Sequence, residues 1–550
     1  MSRRWSQGWR PYALLSLLCL ALYLPGLAAL PPLDRDEARF AQATRQMLES
    51  QDFLRIRFQD EARNKKPAGI YWLQAASVAA LSDPESSAIW PYRLPSLLGA
   101  GAAVLQPFAL GSALVGRPAA LTGAALLAAA LGVVVEAHLA KTDAVLLATV
   151  AAAQGALGLV YLRARRGEQM AAWPCALLFW AAQGAGLLIK GPITPLLGLL
   201  TAAALSLADR DARWLKGLRP LWGVPLMLAI AAPWFIAITA ATHGAFLGES
   251  VGHDLGAKLM GAQEAHGAPP GYYLLLLAAT FWPGSLLLGP ALAWAWQQRT
   301  APAERFLIAW IVPLWLVLEL IPTKLPHYIL PAYPALALIA GRAALAMGEG
   351  GLARRRWLDG LTIALWAVVS LALAAAQAFL PGRLGPGFFP VGLIAAAILL
   401  NLGGWLVVAA WRGGPALGLT IVALAVFVMA PTFHWIAPGL DQLWLSREAA
   451  GMVTRYHPPK DAPVVAVGYR EPSLVFLLGT QTRLLAPDAA AQYITEARGA
   501  AALVSDRDDV AFKSALQARG WKARPLESVD GLDYSNGRRM RLTLYTGAPG

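Results

Sequence analysis

Six clusters of ionisable residues stand at the ends of long apolar runs or in the polar segments between them. The first is Asp34-Arg35-Asp36-Glu37. A fixed carboxylate there could act as a general base or stabilise positive charge developing on a sugar. Acids also cap helix N-termini and favour the first turn, which accounts for one or two of the three. The second cluster, Asn64-Lys65-Lys66-Pro67, offers either an ammonium that binds phosphate as a point charge or a basic pair at lipid headgroups. In the third, Lys141-Thr142-Asp143, the aspartate is a site acid or a simple N-cap. The fourth, Lys190-Gly191-Pro192, is a minimal turn carrying a lysine that either serves an anion or snorkels.

The fifth cluster lies in 243–270 and contains His243, Glu249, His253, Asp254, Lys258, Glu264 and His266. His253 is a candidate metal ligand, but the spacing lacks the HExxH pattern of a strong zinc site. In the sixth, Lys324-Leu325-Pro326-His327-Tyr328, an ammonium and a phenol stand i,i+4 and suit a lipid-linked phosphate at a membrane interface. An aromatic-belt tyrosine beside a snorkelling lysine is the plainer account of the same residues.

The elements that must hold these groups are apolar. Charged types make up 14% of the 550 residues, against about 25% in soluble domains, and apolar types 57%. This excludes a water-soluble multi-domain enzyme and a disordered chain, and leaves an α-helical polytopic membrane protein. Thirteen stretches approach the length of about 20 apolar residues that a span needs: 12–31, 89–115, 118–137, 144–162, 171–189, 192–208, 221–242, 271–296, 306–322, 327–347, 358–380, 388–411 and 416–436. With the N-terminus inside, the arginines of 163–166, 210–219 and 354–356 all fall in inner loops, as the positive-inside rule requires. An odd number of spans leaves the C-terminus outside. All seven histidines and the lysines at positions 141, 190, 258 and 324 then lie on the outer side, and carboxylates and lysines at several helix ends make a site there.

Two regions are too polar to span. Residues 36–50 read as an amphipathic interfacial helix, 53–58 alternate like a short strand, and 69–82 read as a second helix on or in the membrane. Residues 438–550 read as a small α/β domain, with strands at 464–467, 501–504 and 542–545 and helices at 488–498 and 508–519. The division expected is therefore 1–437 and 438–550. Cys19 and Cys175, the only cysteines, both lie in apolar stretches and offer no disulfide framework or thiolate metal site.

The segments DRDEARFAQATRQM, KKPAGIYW, KTD, KGP and KLPHYILP together resemble the GT-C polyprenyl-phosphate glycosyltransferases. The likeness is to the bacterial lipid A aminoarabinose transferases and, more distantly, the protein O-mannosyltransferases. It implies a GT-C fold with thirteen transmembrane helices, periplasmic helices after the first span and a periplasmic C-terminal domain. It implies transfer of a sugar from undecaprenyl phosphate to an acceptor at the periplasmic face of the inner membrane, with inversion at the anomeric carbon. Asp36 would be the key carboxylate, with Glu37 beside it, and Asp143 a second acid near the site. Lys66, Lys258 and Tyr328 would bind the donor phosphate, assisted by Lys190 and Lys324. Lys65 stands where the family has a glutamate that can share a metal ion with the loop histidine, here His253, and this departure argues against a bound divalent ion.

The expected partners are a polyprenyl-phosphate-linked sugar, a lipid A, lipopolysaccharide or other envelope acceptor, and membrane lipids; no nucleic acid is expected. A flippase of lipid-linked sugars and a protein O-glycosyltransferase are the alternatives. Transporters carry their polar groups near the midplane, whereas here they gather at one face.

Overall fold

The computed structural model describes residues 7–33, 35–168, 173–250, 267–385, 387–412, 417–456, 458, 462 and 464–550. The chain opens with α1 (Arg10–Tyr23), α2 (Asp36–Ser50) and α3 (Gly69–Leu81), then α4 (Trp90–Ala109), α5 (Ser112–Val115), α6 (Arg117–Ala129) and α7 (Leu131–Ala137). It continues with α8 (Asp143–Arg165), α9 (Trp173–Lys190), α10 (Ile193–Asp209) and α11 (Pro220–Ala241). Among the described residues seven helices are long and apolar enough to cross a membrane: Trp90–Val115, α8, α11, Pro326–Gly348, Arg356–Leu384, Pro390–Arg412 and Leu417–Ile436. Two bent pairs bring the number to nine: α6 with α7, at 61°, and Tyr272–Thr280 with Gly284–Gln297, at 119°. The remaining four predicted stretches hold α1, α9, α10 and the helix Pro302–Leu320.

Two expected spans are not continuous, and each break has a local cause. Ala130 has extended backbone (ψ 123°) and separates α6 from α7 inside the predicted stretch 118–137. The stretch 12–31 stops being helical at Tyr23; beyond it Gly26 takes a φ of 89°, a conformation that costs glycine nothing. Close helix crossing elsewhere depends on small residues. A Cβ added to Gly123 on α6 would meet the Ala337 carbonyl oxygen at 2.6 Å.

In the polar segment after α1 the expected strand shrinks to a two-residue pairing of β1 (Arg57–Phe58) with β2 (Glu61–Ala62). Helix α2 begins and ends where its amphipathic pattern predicts, but it does not lie bare on a lipid surface. One side packs on α3, with the Phe40 and Tyr71 rings 5.3 Å apart and Thr44 Oγ1 donating to Gln74 Oε1 at 2.7 Å. The other side is covered by the C-terminal region. There Arg45 Nη1 donates to the Phe476 carbonyl at 3.0 Å, and Gln42 Nε2 donates to Thr480 Oγ1 at 2.7 Å. Water ordinarily covers the polar face of an amphipathic helix, but here protein contacts α2 on both sides.

The C-terminal region is a five-stranded sheet in the order β4-β3-β5-β7-β6, from β3 (Val465–Val467), β4 (Arg483–Leu484), β5 (Ala501–Ser505), β6 (Trp521–Asp533) and β7 (Arg538–Pro549). β3 runs parallel to β4 and β5, while β7 is antiparallel to β5 and β6. Period-2 alternation makes two cores. Ala502 and Val504 face Ile494 and Phe512, and Ala501 and Leu503 face Leu445, Met452 and Leu474. The helices at Pro487–Glu496 and Asp509–Gln517 lie where the sequence places them, whereas β4, β6 and the helices Leu445–Tyr456 and Pro472–Leu478 were not anticipated.

Candidate active site

The N-terminus of α2 is held by a buried ion pair. Glu37 accepts Arg93 Nε at 2.8 Å and Nη2 at 2.9 Å, with the Leu33 and Ala140 backbone N–H groups at 2.8 Å each. The four donors occupy the lone pairs of both its oxygens. Arg93 uses its remaining donors on the carbonyls of Leu27, Leu30 and Pro31, at 2.9, 2.6 and 2.9 Å, which the unwinding beyond Tyr23 has freed from helical bonding. Glu37, expected as a catalytic carboxylate, is therefore engaged in positioning α2. Its neighbour Asp36 is exposed and has no hydrogen bond or ion pair among the described residues. The Asp36 charge is felt at Lys141 and at Tyr71.

Below Asp36 lies a network supplied by four separate elements. Lys141 Nζ is 2.9 Å from Glu136 and 3.9 Å from Asp143, and Lys190 Nζ is 2.5 Å from Asp143 Oδ1. His327 Nε2 stands 3.8 Å from the same Asp143 oxygen. Burial disfavours the Lys141 ammonium, yet Glu136 and Asp143 outweigh that and hold its pKa above the usual lysine range. Lys190 sits at the last residue of α9, placed there by the sharp turn that Gly191 makes at φ 74°. Its ammonium also lies over the Tyr328 ring, 5.5 Å from the centroid. Lys66 is half-buried, and its charge acts on His327.

The structure thus brings Asp36, Lys66, Asp143, Lys190 and Tyr328 to one place, together with Lys141 and His327 from the same sequence clusters, and joins Glu136 to them. It removes Lys324, which is buried and donates to the carbonyls of Glu319 at 3.0 Å and Ile321 at 2.9 Å, capping the helix Pro302–Leu320. Lys324 and Tyr328 share no α-helical face, because Pro326 starts a separate 3-10 turn. Lys258, His253 and Asp34 lie outside the described residues. Among the described residues no three His, Cys, Asp or Glu side chains group as metal ligands. The structural partner Arg93 had a visible signal, a lone charge inside a long apolar run.

An apolar groove of about 570 Å³ runs between α9, α10 and α11, lined by Phe179, Trp180, Leu196, Leu199, Leu218 and Met227. Pro192, two residues after Lys190 in the sequence, also lines it.

Residues 32–245 match the family model "dolichyl-phosphate-mannose-protein mannosyltransferase". The chain is 30% identical to the undecaprenyl phosphate-alpha-4-amino-4-deoxy-L-arabinose arabinosyl transferase of Pseudomonas paraeruginosa, over 72% of this chain and 71% of that protein. It is equally identical to enzyme 1 of that name from Pseudomonas fluorescens, over 81% and 75%. The chain belongs to this aminoarabinose transferase family. Its fold is that of ArnT from Cupriavidus metallidurans bound to undecaprenyl phosphate, with a TM-score of 0.74, 18% identity, and 96% and 97% of the two chains covered. The Archaeoglobus fulgidus oligosaccharyltransferase is a more distant match, with a TM-score of 0.54, 10% identity, and 100% and 75% covered. The aminoarabinose transferase family is one of GT-C glycosyltransferases, and this chain is a multi-pass membrane member of it.

Proposed function

We propose that the protein moves a sugar from undecaprenyl phosphate to lipid A, lipopolysaccharide or another envelope glycan at the periplasmic face of the inner membrane. The observation that carries this reading is an exposed Asp36, with no hydrogen bond or ion pair among the described residues, beside a largely buried Lys141–Asp143–Lys190 network. The apolar groove between α9, α10 and α11 supports a lipid-borne donor, because an apolar lining suits a hydrocarbon chain. On this reading all thirteen helical segments cross the membrane. The N-terminus is cytoplasmic, residues 1–437 form the catalytic domain and 438–550 the periplasmic domain.

In the step proposed, an acceptor oxygen attacks the anomeric carbon from the face opposite the phosphate, and the bond from that carbon to the phosphate oxygen breaks. Undecaprenyl phosphate leaves with the electron pair, and the configuration inverts. Lys66, Lys190 and Tyr328, joined by Lys258, offset the charge on the departing phosphate. Asp143 holds Lys190 in place and keeps its ammonium aimed. Asp36 takes the proton of an acceptor hydroxyl; for an acceptor that is already an anion, it positions that group and stabilises the oxocarbenium-like carbon.

The test is transfer of label from radiolabelled undecaprenyl-phosphate sugars into a total lipid extract by the purified protein, wild type against Asp36→Asn. Label entering a lipid with wild type alone supports the reading. Donor binding without transfer to lipid, protein or glycan acceptors in either protein would point to a carrier instead.

A further inference from the structure

A groove of about 630 Å³ opens where the segment after α2 meets α3 and the C-terminal turns of α11. Gln51, Asp52, Phe53, Leu54, Trp72 and Trp234 line it. Helix α11 is long and apolar enough to cross a membrane, and Leu228 and Ile236 on it are exposed. The groove therefore lies where a spanning helix gives way to polar chain, the depth at which tryptophan gathers in membrane proteins.

Its walls are fixed by contacts that leave one group unused. Gln51 ends α2 at a φ of 55° and turns the chain into the groove. Trp72 Nε1 donates to the Phe53 carbonyl at 2.8 Å, which ties α3 to that turn. The Trp234 ring is met edge-on by Phe235 and Phe246, with centroids 5.1 and 5.0 Å away. Asp52 Oδ1 accepts the backbone N–H groups of Leu54 at 3.1 Å and Arg55 at 3.0 Å. Its other oxygen, Oδ2, has no hydrogen bond or ion pair among the described residues. Among the described residues that line the groove, Asp52 carries the only charge.

We infer that this groove seats the ammonium headgroup of a membrane phospholipid of the ethanolamine class, with the acyl chains against α11. A carboxylate oxygen held still by the turn accepts an ammonium N–H, and the faces of tryptophan and phenylalanine attract the same cation. A headgroup with net negative charge meets that carboxylate and finds no cation in the lining to offset it. A soluble amine lacks the chains that the exposed apolar side of α11 would take up. Helix α2 separates the groove from Asp36 by on the order of 20 Å. The lipid is thus a ligand that fastens the end of α2 to α11, and it takes no part in the transfer proposed above.

The test titrates the purified full-length protein in detergent with three dioleoyl lipids: phosphatidylethanolamine, its N-acetyl derivative and phosphatidylglycerol. Bound lipid is counted by native mass spectrometry, and no turnover is needed. Wild type should hold phosphatidylethanolamine roughly tenfold more tightly than either of the others. Asp52→Asn keeps the Oδ1 bonds of the turn, so its melting temperature should be unchanged while that preference disappears. Trp72→Phe retains a smaller aromatic face and should keep part of the preference. The seat is overturned if wild type binds the N-acetyl lipid as tightly as its parent, or binds phosphatidylglycerol more tightly. Both of those outcomes are read on wild type and do not depend on the folding of a variant. A full preference surviving in Asp52→Asn overturns it as well.

Discussion

Ion pairs at the two ends of the helical bundle are built differently. Towards the ends predicted to face inward, buried carboxylates are matched to arginine. Asp209 accepts Tyr161 Oη at 2.7 Å and pairs with Arg305, Glu304 meets Arg342 at 3.1 Å, and Asp359 meets Arg354 at 2.8 Å. At the other end Glu136 and Asp143 meet lysine and histidine, and Asp36 is left exposed. Arginine forks with fixed charge suit permanent fastening of helices. Ammonium groups on flexible stems can leave one oxygen for another, which a leaving phosphate requires. The Glu37–Arg93 pair is an inner-type fastening placed at the outer end.

The largest expected effect comes from separating the two adjacent acids. Asp36→Asn should lower turnover by about 10²–10⁴, the span of general acid–base catalysis, with an unchanged melting temperature. Glu37→Gln should do the reverse. Removing one partner of a buried pair costs about 3–5 kcal/mol, so the variant should be recovered at low yield with a lowered melting temperature. Equal melting temperatures for the two variants would erase the distinction between site and fastening.

Lys190→Met should raise donor KM roughly tenfold to a hundredfold, from the loss of a charge-assisted bond worth about 1.5–3 kcal/mol. Asp209→Asn at the inner end should reduce thermal stability by about 1–3 kcal/mol and leave donor KM alone. A donor effect from Asp209 would break the comparison. Lys324→Met should be the mildest, costing about 1 kcal/mol of stability through two lost carbonyl bonds. Its donor KM should equal that of wild type; a rise would return Lys324 to the phosphate site.

The helices were legible because apolar length and amphipathic period are local properties. Helix α2 spans 36–50 as its pattern requires, and the thirteen apolar stretches all hold helices. The bends at Ala130 and after Thr280 were not legible, since an alanine reads as helix former in any window. Within the site, Asp143, Lys190 and Tyr328 were singled out separately and meet in the fold. Lys324 looked the same in sequence as Lys190, yet it turns back onto carbonyls of its own segment. Strands β4 and β6 were missed because one has two residues and the other is largely exposed.

By itself the sequence determined that this chain builds an α-helical membrane protein with ionisable groups at the ends of its apolar stretches. Hydrophobic burial and the positive-inside bias act on composition and order alone. Only the tertiary structure decided which of those groups are free to react. Asp36 and Glu37 are neighbours of the same chemistry, and they part because one meets Arg93 and two backbone N–H groups while the other meets no partner among the described residues. That difference depends on residues more than fifty positions away, so no local pattern can carry it.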